Sequence, residues 1–244
     1  MIAIRGAYDD QSNLLTAFRN LSVKGKVPKG EPAGHQDGWG ILTYNGNSPI
    51  YAGRFPTNPA DDPNYDHAID EVRKIRPTII LAHFRKATIG AKSIANTQPY
   101  VNSKWGFGHN GTIWSSKINA KQKETDSEAY FRRVLAGLPR NSGRIEENLC
   151  ATVKKIRNDV VLHPDSQRRT YSSLTCILSD GESIYALRDI PNEIDEDYYT
   201  LHYCALRDGV VICQEKLVER NWNSIPNRTL VAFHPGATET LSCE

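Results

Sequence analysis

No stretch of this 244-residue chain approaches the roughly 20 consecutive apolar residues that a membrane-spanning helix requires. The opening MIAIRGAYDD also lacks the basic-then-apolar order of a secretory leader, so a cytoplasmic protein is expected. Charge of one sign is missing as well: 30 basic and 28 acidic side chains, spread along the chain, leave a formal +2. That balance provides no electrostatic footprint for nucleic acid or an anionic membrane, and the short basic runs VRKIR (72–76) and QRRT (167–170) read as solvated faces. The five cysteines, Cys150, Cys176, Cys204, Cys213 and Cys243, are odd in number and never form CxxC or CxxH. They are expected to be small core residues in a reducing compartment, neither a zinc site nor a disulfide framework.

Internal repeats, low-complexity tracts and a convincing domain boundary are also absent. With 39% hydrophobic residues the chain can bury a substantial core, and one domain over 1–244 is expected. Three hairpins announce themselves by strand-like runs around tight turns: WGILTY-NGNS-PIYAGR, LTCILS around Asp180-Gly181, and TLHYCALR around Asp208-Gly209 before VVICQE. Helical spacing places Leu14, Phe18 and Leu21 on one face over 12–21, and Ile69, Val72 and Ile75 on one face over 66–75, where Pro77 stops the helix. Two further helices, 127–138 and 144–159, are joined by the turn-rich LPRNSG, and residues 165–244 complete the sheets. Strands, then a helix pair, then strands is an α+β order, with helices layered over antiparallel sheets.

Certain stretches invite a chemical reading beside a structural one. WGFGHNG (105–111) alternates glycines with aromatics, as a strand does where another backbone comes close, and then turns at Asn110-Gly111. The turn alone accounts for Asn-Gly. Equally, an Asn carboxamide and the following glycine N–H can converge on one oxygen and stabilise the anion formed when an amide is attacked. TIILAHFRKATIG (78–90) is a β-branched strand delivering His83 and Arg85 to a polar turn. An arginine there is ordinarily a surface residue, yet its planar fork suits bidentate carboxylate binding as lysine does not. In TDSE (125–128), Thr125 and Glu128 have capping-box spacing, which frees the Asp126 carboxylate to face a site and bind an ammonium group. Together these groups complement an α-amino acid whose side-chain amide is to be attacked.

In this order and spacing, HQDGWGI (35–41), LAHFRKATIG (81–90), NTQPY (96–100), WGFGHNG and TDSEAYF (125–131) resemble the class II glutamine amidotransferase domain, especially its stand-alone form. LSDGESIYALR and YYTLHY resemble the C-terminal half of that family, so the resemblance covers nearly the whole chain. It implies an N-terminal nucleophile hydrolase fold, a four-layer αββα sandwich of two antiparallel sheets between helical layers. The implied substrate is glutamine or another γ-glutamyl compound, with no metal and no organic cofactor. By the same resemblance Arg85 holds the α-carboxylate with Thr88 nearby, Asp126 holds the α-amino group, and Asn110 and Gly111 form the oxyanion hole. His35, Asp37, Gly38 and Trp39 line or shape the site, while His83 and His109 are structural because the mechanism uses no imidazole base. An ammonia-acceptor subunit is implied unless the protein simply hydrolyses its substrate.

Two departures stand out. The family's nucleophile is a cysteine directly after the initiator methionine, whose own α-amine, with a reference pKa of about 7.7–8.0, serves as base. Residue 2 here is Ile2. Met-Ile-Ala-Ile fits the apolar strand that follows Cys-Arg in the family if Met1 is an internal methionine of a longer product. The alternative expectation is a glutamine-binding or regulatory module that has lost the nucleophile. A third is a scaffold in which all five motifs are turns, caps and strand ends. The second departure is Gln98, where the family often has histidine, which bears on local geometry and substrate.

Overall fold

A computed structural model describes residues 1–88, 90–114, 124–139, 144–161 and 170–244. The chain opens with strand β1 (Ile2–Gly6), helix α1 (Gln11–Arg19) and the short α2 (Leu21–Lys24). The expected first hairpin follows as β2 (Trp39–Asn45) and β3 (Ser48–Phe55). Helix α3 (Pro63–Ile75) starts earlier than its apolar spacing indicates because Asp62 caps it, accepting the Asn64 N–H at 2.9 Å, with Pro63 in the first turn. Strand β4 (Ile79–Phe84) then leads to β5 (Tyr100–Asn102) and β6 (Trp105–Asn110).

The helix pair is α4 (Asp126–Gly137) and α5 (Ile145–Val161). Residues 140–143 of the linker between them, and 167–169 of the basic QRRT run, lie outside the described residues. The other two hairpins form as expected: β7 (Thr175–Ser179) with β8 (Ile184–Arg188), and, after α6 (Glu196–Tyr199), β9 (His202–Leu206) with β10 (Gly209–Cys213). Strands β11 (Asn223–Ser224), β12 (Thr229–His234) and β13 (Ala237–Ser242) end the chain.

These strands form two antiparallel sheets, ordered β11-β9-β10-β1-β4-β2-β3 and β13-β12-β8-β7-β6-β5. Alternation along β1 sends Ile2 and Ile4 against Leu15 and Phe18 of α1 and Tyr65 and Ile69 of α3, while Met1 and Ala3 face the other sheet. Leu42, Tyr44 and Leu81 meet Ile177, Ala186 and Val231 between the sheets, and α4 and α5 cover the far side through Tyr130, Val134, Leu149 and Val153. The result is the expected αββα sandwich. Each large side chain buried this way is worth on the order of 1.5–3 kcal/mol.

Gly106 explains the bare backbone in WGFGHNG. A Cβ there would lie 2.3 Å from the Tyr44 hydroxyl and 2.6 Å from Leu42 Cδ2, both on the facing sheet. Phe107 and His109 point the other way, toward α4, so Gly106, Gly108 and Asn110 share the inter-sheet face.

The cysteines correct the expectation. Cys150 and Cys243 are joined in a disulfide between α5 and the C-terminal tail, across 93 residues of sequence. Local spacing could not reveal it, because the pairing arises only when β13 folds back along β12. The Cys243 N–H then donates to the Arg228 carbonyl at 2.7 Å and its carbonyl accepts from Arg157 at 2.6 Å, bringing the two Cα atoms to 4.9 Å. Cys176, Cys204 and Cys213 are free and buried, as expected. Among the described residues no helix is long and apolar enough to cross a membrane.

Candidate functional site

Where β1 begins and β4 and β6 end, a cavity opens between the sheets. Arg85, Thr88, Asn110, Gly111 and Asp126 all line it, brought from three separate stretches of the chain. Arg85 directly follows β4, its backbone N–H donating to the Gly38 carbonyl at 2.8 Å. Its guanidinium is buried and donates to the Ala91 and Gly90 carbonyls at 3.1 and 3.2 Å, so the same group braces the loop that borders the cavity. Thr88 pairs its hydroxyl with that of Thr112 at 3.0 Å.

Asp126 is the first residue of α4. Thr125 caps that helix in a complete capping box, accepting the Glu128 N–H at 3.1 Å while the Glu128 carboxylate accepts the Thr125 N–H. Capping therefore makes no demand on Asp126. One of its oxygens accepts the Ile113 N–H at 2.7 Å, which orients the carboxylate at the cavity wall.

Asn110 continues the inter-sheet face of Gly106 and Gly108, and its Nδ2 approaches the Tyr198 carbonyl at 3.5 Å. At Gly111 a Cβ would sit 2.2 Å from the Ser173 carbonyl oxygen, so only glycine permits the chain to turn there. His109, between these faces, is an anchor. Its Nε2 must donate to the Ser173 carbonyl at 3.0 Å, which leaves Nδ1 to accept from the Ser127 hydroxyl at 2.9 Å. Burial holds its pKa below the usual histidine range, against the pull of Asp126.

Of the four residues expected to line or shape the site, His35 alone lines the cavity. Burial lowers its pKa to about 4, so the ring is neutral at pH 7. Asp37 acts from behind, accepting the Ala87 N–H at 2.8 Å and pairing with Lys92, both on the loop that follows Arg85. Gly38 supplies the carbonyl under Arg85, and Trp39 faces the helix-side core, donating to Asp62 at 2.9 Å.

Sequence reasoning noted Gln98 only as a departure from the family pattern, and it passed over Gln214 and the Met1 amine. Gln98 lines the cavity and accepts the His109 N–H at 2.7 Å through its side chain. Gln214 accepts the Met1 amine at 2.8 Å and donates to the Tyr198 carbonyl at 3.1 Å. The Met1 amine is buried at the cavity, and that burial lowers its pKa against the opposing pull of Cys213 and Glu215. His83 also lines the cavity and is held neutral by burial and by the adjacent amine. None of the described cysteines lines it.

Comparison with known proteins bears on the family and the fold. The family profile described as "Glutamine amidotransferases class-II" matches residues 11–244. The Methanocaldococcus jannaschii protein MJ1515 is 26% identical over 234 residues, covering 83% of this chain and 62% of that protein. Escherichia coli K12 YafJ, which carries a glutamine amidotransferase name, is 28% identical over 179 residues, covering 68% of this chain and 66% of its own. The chain thus spans under two thirds of both relatives. Among solved structures, a class II domain protein from Silicibacter pomeroyi superposes with a TM-score of 0.66 at 16% identity, covering 100% of this chain and 98% of that one. The Bacillus subtilis glutamine phosphoribosylpyrophosphate amidotransferase superposes at 0.65 and 10% identity, covering 100% of this chain and 49% of that one. At those identities the superpositions speak to the fold.

Proposed function

This chain belongs to the class II glutamine amidotransferases, and from that premise we propose that its cavity binds glutamine or another γ-glutamyl compound for attack at the γ-carbonyl by an N-terminal cysteine. The observation that carries this reading is the convergence of Arg85 and Thr88, Asp126, and Asn110 with Gly111 on one cavity. The first pair suits an α-carboxylate, Asp126 an α-ammonium, and the Asn110 carboxamide with the Gly111 N–H a developing oxyanion. Thiolate attack forms a C–S bond and expels the amine as a thioester forms; water then cleaves the thioester to release the γ-carboxylate. The ammonia passes to an acceptor subunit or to solvent.

Strand geometry favours a nucleophile just ahead of Met1. The β1–β4 register pairs Ile2 with Ala82, and continuing it places a residue two positions before Met1 opposite Arg85. By alternation that residue faces the other sheet, as Met1 and Ala3 do. A chain extended by Met-Cys-Arg, with its initiator methionine removed, presents a thiol and its own α-amine at that spot.

The test compares ammonia release from glutamine by the Met-Cys-Arg extended protein, a Met-Ala-Arg control and the chain starting at Met1. Turnover by the first alone is the expected result. Inactivity of all three, with glutamine still bound, would replace this reading by the binding module that Ile2 favours. Inactivity without any glutamine or glutamate binding would leave the motifs as scaffold.

A further inference from the structure

The first turn of α5 meets the β12–β13 hairpin in a cluster that the glutamine cavity does not include. Ala232 pairs with Glu239 and His234 with Ala237, so His234 and Glu239 are diagonal neighbours on the face that α5 covers, and Glu146 comes down from α5 between them. One donor atom from each of the three lies within 4.8 Å of the others, and His234 Nε2 is 3.0 Å from Glu146 Oε1. The Glu146 side chain is only 8% exposed, little for a carboxylate.

We propose that Glu146, His234 and Glu239 form a binding site for a divalent transition-metal cation of the Zn2+ class. One imidazole and two carboxylates, with a water at the fourth position, is a donor set that Zn2+ accepts. Tetrahedral bonds of about 2.0–2.2 Å put donors roughly 3.3–3.6 Å apart, so side-chain rotation closes the gap from the present spacing. His234 is pre-oriented from outside the cluster: its Nδ1 meets the Ser183 hydroxyl at 2.8 Å and its ring packs against Tyr185 with centroids 6.0 Å apart. With Nδ1 engaged, Nε2 is the nitrogen left for the metal.

The two carboxylates need a counter-charge, and Arg144 now supplies it, contacting Glu239 and lying 3.9 Å from Glu146. Arg144 is half exposed, and it also pairs with Glu147 at 3.4 Å, which gives it somewhere to go. The Arg144–Glu239 pair is solvent-exposed and therefore weak, so a divalent ion held by three donors displaces the guanidinium. A bound ion would join the start of α5 to the outermost hairpin of the second sheet.

Titration of the tag-free protein with Zn2+ by calorimetry, paired with thermal unfolding, tests this. Saturable 1:1 binding with a raised melting temperature is expected. His234→Ala and, independently, Glu239→Gln should weaken binding by at least about tenfold, while Arg144→Ala, which removes the competing cation, should tighten it by about fivefold. Co2+ should give ligand-field bands without a thiolate charge-transfer band, which separates this site from the free cysteines. Absence of binding at millimolar Zn2+ in both the wild type and Arg144→Ala, or affinity unchanged in a folded His234→Ala or Glu239→Gln protein, would overturn the site and leave Arg144 as its permanent cation.

Discussion

In the proposed function, Arg85 serves structure and recognition together. Two of its donors hold the carbonyls of Gly90 and Ala91, while the guanidinium still lines the cavity. Charge-assisted hydrogen bonds are worth about 1.5–3 kcal/mol, so Arg85→Ala should weaken glutamine binding by roughly 10–100-fold in calorimetry. Arg85→Lys should not restore it, because an ammonium cannot reproduce the planar fork. Unchanged affinity in the alanine variant would remove Arg85 from the carboxylate role, and a melting curve on the same sample separates that outcome from loss of the loop's brace.

At the scale of elements, the site depends on how β6 ends. Strand β5 pairs with β6 only from Tyr100 opposite Phe107 to Asn102 opposite Trp105. Beyond that the His109 N–H would have no strand partner on the β5 side, and the Gln98 side chain takes the vacant place. The carboxamide thus holds the backbone next to Asn110 and Gly111. Gln98→Leu removes the acceptor and strands a buried N–H, at a cost of about 1–3 kcal/mol. The expected signature is faster hydrogen exchange at the His109 amide, with the β12–β13 amides unchanged. Equal protection in variant and wild type would show that the side chain does not hold this strand end.

For the whole molecule, the closure of the C-terminal tail matters most. The Cys150–Cys243 bond joins residues 93 apart, and cross-links over such loops typically contribute about 2–4 kcal/mol. Cys243→Ser should lose that amount in denaturant unfolding, and reduced wild type should match the variant. Beside the bond, Arg157 donates to Asp189 at 3.1 Å, within a wholly buried pair. Burial pushes the Asp189 pKa up from 3.8 to about 6, more than Arg157 and Arg228 pull it down. The folded state therefore holds more protons than the unfolded state between those values, and stability falls as pH rises from about 4 to about 6. Asp189→Asn should flatten that part of the stability profile; an identical slope in the variant would assign the dependence to other groups.

The sequence by itself determined the local units. Three hairpins, the apolar faces of α1 and α3 and the capping box at Thr125 rest on neighbours a few residues apart, so alternation and capping chemistry are legible without coordinates. The ordered motifs around Arg85, Asn110 and Asp126 likewise carried the family and the candidate site. Only the tertiary structure decided which sheet face each strand presents, why Gly106 must be bare against Tyr44, and that Trp39 belongs to the helix-side core and not to the cavity. The same holds for the Cys150–Cys243 pair, the Gln98 clamp and the Glu146–His234–Glu239 cluster. Each joins groups far apart along the chain, and their meeting is set by the packing of two sheets and four covering helices, a long-range outcome on which no local spacing reports.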